Sequence, residues 1–268
     1  MSIVASSPYL VAPGRSLLVV AHPGHELRLF GWMRAARPEV LVLTDGSGSI
    51  AQPRVSSSHQ VLALAAATAG PLFGRYSDQE VYRALLAADH GYFAAIEAAI
   101  AARLGSGAFD AVVADPYEGY NPSHDLCSLL VNVARERVRR ESGRRIAGYE
   151  YALTAPLPGA TAPEGVVSLS LAGSALDDKI AAARNYPELQ WEIDQALARE
   201  GMQAFAREEL RPLDGPGLCL VPARLPPHYE LHGERKRAEG VYADVIRYRE
   251  HFVPVMEALV AGLPVAQR

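Results

Sequence analysis

The sequence predicts an α/β fold in which a mostly parallel sheet is flanked by helices. Three apolar runs, at 16–20, 40–44 and 109–115, have the pattern of buried strands and alternate with segments of helical pattern. Strands that alternate with helices are typical of parallel sheets, because each parallel connection needs a crossover. Ligand sites in such folds lie in the crevice beyond the carboxyl ends of the strands. We therefore expect the functional residues directly after these runs.

The elements of the first half follow from this pattern in chain order. A short helix is predicted at 26–36 after the first strand, and an alanine-rich helix at 56–69 is predicted to end before Gly70 and Pro71. Two more helices, at 78–86 and 92–104, precede the third strand. A long helix from 124 to about 141 follows it. The basic run 135–140 falls late in that helix, where cations complement the helix dipole, and indicates a solvated face.

The second half is less regular. Strands are predicted at 148–154 and 166–171, with a proline-rich loop at 155–163 between them. Helical segments are predicted at 174–185 and 187–210, and a final helix at 245–259 is interrupted near Pro254. We expect one domain over 1–268, with a core and site in 1–150 and a C-terminal elaboration in 151–268.

The composition limits the class of protein. The chain has 268 residues, of which 49% are hydrophobic, enough for a substantial core, and its net charge of -4 gives no general attraction to nucleic acid. Two cysteines form no disulfide framework and favour a reducing compartment. We find no apolar stretch that would span a membrane and no signal-peptide pattern, so a cytoplasmic protein is expected. Assembly into homo-oligomers is left open.

Histidines follow two of the predicted strands. His22 and His25 lie in the segment Ala21-His22-Pro23-Gly24-His25-Glu26, where a strand passes into a helix. His124 lies at the start of the helix after the third strand. Three imidazoles at the ends of two strands indicate a metal site with ligands distant in sequence. The alternative for His25 is a helix-start residue that points to solvent.

These motifs resemble those of the PIG-L/LmbE-like N-acetylglucosamine deacetylases, which are zinc enzymes on a Rossmann-like fold. Members carry His-Pro-Asp-Asp-Glu after the first strand and His-Pro-Asp-His at a later helix, and this chain has His22-Pro23-Gly24-His25-Glu26 and Asn121-Pro122-Ser123-His124. The loop Leu43-Thr44-Asp45-Gly46-Ser47-Gly48 is also similar. The resemblance covers roughly the first 150 residues.

The resemblance implies one zinc ion per chain, bound by His22, His25 and His124, with histidine in place of one carboxylate ligand. It places Gly24 where the family has its general base. It places Asn121 where the family has a histidine that helps to stabilise the oxyanion, and an amide can still donate to that oxygen. Three neutral imidazoles leave the ion more positive than a ligand set with a carboxylate, so the dependence on a separate base is expected to be smaller.

Three acids near His124 are candidates to replace the missing base. Asp115 ends the third strand and is the first candidate, and Glu118 lies on the loop that follows. Asp115 has the alternative role of orienting a histidine ligand. Asp125 lies in the first turn of the long helix, where it complements the helix dipole or contacts a ligand histidine. Cys127 is interpreted as a buried, inert thiol.

The substrate-binding candidates lie outside this group. The glycine-rich loop that contains Asp45 has the composition to bind a phosphate or sugar hydroxyls, or to be a flexible turn, and Arg54 follows it. The polar segment 226–235 contains His228 and His232. It is predicted to close over the site as a lid, with a surface turn or an oligomer contact as the alternative interpretations.

The sequence thus favours a zinc-dependent hydrolase that acts on an N-acyl amide of a sugar-like small molecule. One alternative is a repurposed or inactive metal-binding relative that recognises a sugar or a nucleotide. Another is a different metal-assisted step in small-molecule biosynthesis, since a changed base can serve a changed leaving group.

Overall fold

The computed structural model describes residues 2–4, 14–48, 52–154, 165–213, 218, 222 and 224–265. Its eight strands are β1 Ser2–Val4, β2 Ser16–Val20, β3 Glu39–Thr44, β4 Thr68–Tyr76, β5 Ala111–Ala114, β6 Ala147–Glu150, β7 Val167–Ser170 and β8 Arg207–Pro212. The α-helices are α1 Phe30–Ala36, α2 Val55–Ala65, α3 Asp78–Leu86, α4 His90–Gly105, α5 Pro122–Ser142, α6 Ser174–Arg184, α7 Gln190–Glu200, α8 His228–Ala238 and α9 Val253–Ala261.

The strands form one sheet in the order β1-β7-β8-β6-β5-β2-β3-β4. The strands from β4 to β6 run parallel to their neighbours, while β8, β7 and β1 extend the sheet by antiparallel pairs. The chain builds outward from β2 to β4 and then returns to the other side of β2 with β5. The strand order therefore reverses between β2 and β5, and the crevice beyond such a switch point is the usual place for a ligand in this class of fold.

Helices cover both faces of the sheet, because successive residues of the buried strands point to opposite sides. Leu17 and Val19 pack with residues of α4, α5 and α9, whereas Leu18 and Val20 pack with residues of α1, α2 and α6. All five residues of β2 are buried. The predicted α/β fold with a mostly parallel sheet is confirmed. Among the described residues, no helix is long and apolar enough to cross a membrane.

Three strands, β1, β4 and β8, were not predicted from the sequence. The helix expected at 56–69 ends at Ala65, and 68–76 forms the edge strand β4. This strand contains Gly70, Pro71 and Gly74, and its register with β3 shifts twice. Proline is tolerated at a sheet edge, where a missing N–H need not face a partner. The helical prediction for 187–210 was also wrong at its end, because 207–210 belong to β8.

The remaining differences concern the boundaries of elements. The predicted first helix begins with a 3₁₀ turn, His25–Leu29, before α1. The strand expected at 148–154 is Ala147–Glu150, and the segment 226–235, expected as a lid or turn, contributes the first turns of α8. The helix expected at 245–259 consists of a π-helical turn, Tyr248–Phe252, followed by α9 with Pro254 in its first turn. The loop expected at 155–163 lies outside the described residues.

Candidate active site

The three histidines singled out by their position come together at the switch point of the sheet. The ring centres of His22 and His25 are 5.3 Å apart, those of His22 and His124 are also 5.3 Å apart, and those of His25 and His124 are 4.6 Å apart. The rings meet edge to face. His22 and His124 are buried, and His25 is partly buried. All three line a cavity of about 700 Å³ that opens beyond the carboxyl ends of β2 and β5.

A carboxylate lies beside the Nδ1 atom of each imidazole. The Nδ1 of His25 is 2.8 Å from Oδ2 of Asp115, and the Nδ1 of His124 is 3.2 Å from Oε1 of Glu118. The Nδ1 of His22 is 2.8 Å from Oγ1 of Thr44 and 3.1 Å from Oδ1 of Asp78. An ionised carboxylate only accepts hydrogen bonds.

The Nδ1 atoms of His25 and His124 therefore carry the proton that they donate. The Nδ1 of His22 donates to the hydroxyl of Thr44, which itself donates to the carbonyl of Ala21. The lone pair of a neutral ring then lies on Nε2. The buried environment keeps His124 neutral, since burial lowers its pKa from 6.5 to about 4, helped by the neighbouring His25 and His22. A neutral ring that donates from Nδ1, as that of His124 does, has Nε2 free to bind a ligand, and His22 and His25 have the same tautomer when they are neutral.

Asp115 is held by three donors deep in the protein. Its Oδ2 also accepts from the backbone N–H of Ala21 at 2.8 Å, and its Oδ1 accepts from the hydroxyl of Tyr151 at 2.5 Å. Burial alone would raise the pKa of Asp115, but the charge and the hydrogen bond of His25, with His124 and Tyr151, lower it to about 2. Asp115 is fully buried and does not line the cavity. This placement favours the orienting role over that of a base.

Glu118 has a similar arrangement. Its second carboxylate oxygen accepts from the backbone N–H of Thr154 at 3.3 Å, and Glu118 does not line the cavity. Burial would raise the pKa of Glu118, but the hydrogen bond from His124 and the contact with Thr154 lower it. Asp125 turns away from the rings, because its Oδ1 accepts from the backbone N–H groups of Glu118 and Gly119. Asp125 therefore orders the loop that carries Glu118.

Asp78 was missed by the sequence analysis. It is the first residue of α3, it is buried, and it lines the cavity. Burial opposes its charged form, but the hydrogen bond and charge of His22, with further hydrogen bonds, hold its pKa well below the usual range. Its Oδ2 accepts from the N–H of Gly48 at 2.6 Å. No motif marks this position, because an acid in the first turn of a helix is ordinarily a dipole partner.

The backbone at Gly24 leaves no space for a side chain. Its φ is 105°, in the left-handed region that favours glycine, and a Cβ there would lie 2.6 Å from Cδ1 of Leu189. The Gly24 N–H donates to Oε2 of Glu26 at 2.7 Å, and Glu26 also accepts from the hydroxyl of Ser58. Burial raises the pKa of Glu26 to about 7. An apolar side chain thus fills the space beside the histidines where an acid at position 24 would extend.

Asn121 lines the cavity at the start of α5. Its Oδ1 accepts from the N–H of Ser123 at 2.8 Å and caps the helix. This bond assigns the amide oxygen to the helix, so the NH₂ group is the part of Asn121 that is available as a donor. Tyr82, also in the cavity lining, lies within hydrogen-bonding reach of the Asn121 side chain.

Of the four substrate-binding candidates, only Arg54 lines the cavity. Arg54 lines the cavity, and its Nε donates to the carbonyl of Gly46 at 2.7 Å. Asp45 does not line the cavity, and its Oδ1 accepts from the N–H of Ser47.

His228 and His232 also lie outside the cavity lining, on the first turns of α8. The ring of His228 stacks on that of Tyr120, with centres 4.5 Å apart, and Tyr120 is exposed at the cavity. The ring centres of His228 and His232 are 6.0 Å apart. These two histidines therefore lie beside the cavity mouth and apart from the other three.

As the side chains stand in the described part of the chain, no group of three or more His, Cys, Asp or Glu residues is positioned to hold a metal ion. A metal at the three histidines therefore belongs to the proposal below.

Comparisons with known proteins give the fold. A deacetylase triple mutant involved in teicoplanin biosynthesis is 11% identical, with a TM-score of 0.50, over 75% of this chain and 99% of that one. A deacetylase of the A40926 pseudoaglycone is 13% identical, with a TM-score of 0.48, over 75% and 97%. A conserved protein of Thermus thermophilus is 16% identical, with a TM-score of 0.48, over 78% and 98%. No family model and no curated protein matches the sequence. The first of these structures shares the α/β architecture described above.

Proposed function

We propose that the protein is a zinc-dependent hydrolase that cleaves an N-acyl amide on a sugar-like small molecule. The observation that carries this proposal is the set of three imidazoles at the switch point, each with a carboxylate beside Nδ1. Histidine ligands of zinc typically donate their other ring N–H to such an acceptor, which fixes the tautomer and the ring orientation. One solved structure that shares the fold is described as a deacetylase, and this description makes amide hydrolysis the reaction to test first.

The spacing of the rings fits a zinc ion. Zinc binds imidazole nitrogen at about 2.0–2.1 Å and prefers tetrahedral geometry, which places the centres of two ligand rings about 5 Å apart. The three measured separations, 4.6, 5.3 and 5.3 Å, agree with this value. His22, His25 and His124 would hold the ion, and Asp78, Asp115 and Glu118 would orient them. These three acids also offset the charge that the ion keeps when all of its protein ligands are neutral.

Zinc in this position would supply Lewis acidity toward the amide carbonyl and toward water. The overall reaction adds water across the amide: the C–N bond breaks, the carbonyl carbon gains oxygen, and the nitrogen leaves as an amine with a proton from water. As the carbonyl oxygen gains negative charge, the NH₂ group of Asn121 is the donor available to it. Arg54 contributes a cation to the cavity wall for polar groups of the substrate.

The experiment compares two histidine variants. Purified protein and His90→Ala, which alters an exposed histidine away from the site, should each bind about one equivalent of zinc and release amine from N-acylglucosamines. His124→Ala should lose both properties. Undiminished zinc in His124→Ala would exclude the proposed ligand set, and zinc binding without any amine release would exclude the hydrolase.

The packing of Leu189 over Gly24 favours a second candidate, a relative that binds metal and a sugar without turnover. In this case the side chain of Leu189 occupies the space that a carboxylate at position 24 would need in order to accept a proton from water. Calorimetric binding of an N-acylglucosamine, together with no amine release after prolonged incubation with zinc, would identify this alternative.

A further inference from the structure

The cavity extends from the histidines into a second region with apolar walls. Leu189, Ile193 and Ala196 of the 187–196 segment form one wall, and Phe205 extends it. The spacing of the first three residues, i, i+4 and i+7, places them on one face of a helix. Leu27 and Leu153 belong to the same cavity lining. We call this region, defined by these six residues, the apolar chamber.

The apolar wall is buried in the core only in part: Ile193 belongs to a core cluster, and Leu189 and Phe205 pack against that cluster while staying partly exposed. Ile193 is the one residue of α7 that is fully buried, and Ala196 is partly exposed. The polar residues of the same cavity wall that flank the chamber, Arg28, Glu192 and Arg207, are exposed to solvent. The lining also includes the buried ion pair of Lys179 and Glu208, so the apolar residues share the wall with one paired charge. A mostly apolar cavity with a few placed polar groups is typical of a site for an amphipathic small molecule.

The chamber begins directly at the histidines. Leu189 contacts the position at which a Cβ of Gly24 would lie, and Gly24 stands between His22 and His25 in sequence. An amide carbonyl held at the three imidazoles therefore has Leu189 beside it. The acyl group is the part of the substrate on the carbonyl side of the scissile bond, so its chain would pass over Leu189 into the chamber.

We propose that the substrate carries an N-acyl chain longer than acetyl, bound in the apolar chamber, while the sugar stays at the polar rim. This inference rests on the proposed function for its reaction, but the chamber itself is tested by binding alone. Sugar hydroxyls would lose their hydrogen bonds to water against Leu189, Ile193 and Phe205, which opposes the reverse orientation. Each methylene that becomes buried should tighten binding about fourfold.

The test measures the affinity of N-acylglucosamines with chains of about two to eight carbons, by calorimetry on the zinc-treated protein. Affinity should rise with each added methylene. Ala196→Phe fills the chamber and should remove this rise while the shortest ligand binds as before. Ala198→Phe places the same side chain on an exposed position of α7 that does not line the cavity, and should keep the rise.

Phe205→Ser provides a second variant, which makes the wall polar and should flatten the dependence on chain length without filling space. Equal affinity for all chain lengths in the unaltered protein would overturn the proposal, as would an unchanged rise in both Ala196→Phe and Phe205→Ser. A rise in affinity with chain length but no amine release would support the apolar chamber and contradict the proposed hydrolysis. Hydrolysis of the acetyl compound, with an affinity that does not depend on chain length, would support the hydrolysis and contradict the chamber.

Discussion

Replacing Gly24 with alanine should destabilise the protein well beyond an ordinary loss of glycine flexibility. The φ of 105° places any side chain in the left-handed region, and the new Cβ would lie 2.6 Å from a methyl carbon of Leu189. The new Cβ causes both the backbone strain and the close contact. The two contributions can be separated, because the strain depends on the φ of Gly24 and the contact depends on the side chain of Leu189.

The structure sets the expected size of each contribution. A left-handed conformation costs a residue with a Cβ about 1–2 kcal/mol. Overpacking costs about 1–3 kcal/mol, and the lower end applies here because the displaced atom ends the partly exposed Leu189 side chain at the cavity wall. The free energy of unfolding should therefore fall by about 2–3 kcal/mol in Gly24→Ala. Gly107 is the matched control, since its φ is 85° and nothing lies within 4 Å of the position that a Cβ would take there. The free energy of unfolding should fall by about 1–2 kcal/mol in Gly107→Ala, which is the contribution of the backbone alone.

Urea denaturation at equilibrium measures these differences. A double-mutant cycle with Leu189→Ala isolates the contact, because Gly24→Ala should cost about 1 kcal/mol less when Leu189 has been truncated. Equal losses for Gly24→Ala and Gly107→Ala, or no coupling with Leu189, would show that Leu189 does not fill the space beside Gly24. The account of the missing base would then be wrong.

Three further predictions concern chemistry, metal binding and acid stability. Gly24→Asp combined with Leu189→Ala should raise amine release from N-acetylglucosamine by about 100-fold, which is the usual contribution of a general base, whereas Gly24→Asp alone should not. Equal rates of amine release in the double and the single variant would argue against a base at this position. Asp115→Asn should weaken zinc affinity by about 10–100-fold in a chelator competition, and unchanged affinity would remove its orienting role. The hydrogen bond from Arg139, with a contribution from Arg140, lowers the pKa of Glu136 from 4.5 to about 2, so its ion pairs stabilise the folded state above pH 4.5 and are lost as the pH falls toward 2. The unfolding free energies of the unaltered protein and Glu136→Gln should converge over this range, and a constant difference would contradict the assignment.

The sequence was informative where local pattern and tertiary environment agree. The strands at 16–20 and 40–44 are apolar except for Ser16 and Thr44 at their ends, because both faces of a parallel sheet are covered, so their composition identifies them. The position of His22, His25 and His124 followed from the rule that strand ends meet at the switch point. Their proximity was therefore predictable from three strand assignments and a motif.

What the sequence did not reveal depends on pairing between distant segments. β4 lies at the sheet edge with a partly exposed face, and β8 is rich in Arg and Glu, so neither has an apolar run. The pairing of Asp78 with His22 joins the start of α3 to the end of β2, and no spacing in the chain indicates it. The contact of Leu189 with Gly24 is of the same kind. Such contacts are set by packing, which a local pattern does not record.

The apolar chamber is built largely from one continuous stretch of chain, 186–206, while the three histidines and their carboxylates come from residues 22–124. Substitutions at Ile193, Ala196 or Phe205 can therefore alter the width and depth of the chamber without changing Tyr186 or Leu189, the residues of this stretch that lie against Gly24. Under the proposed acyl binding, evolution could exchange one chain length for another by changing residues within this one segment. A protein engineer could graft the segment between relatives of the same architecture while keeping Tyr186 and Leu189, whose side chains lie against Gly24.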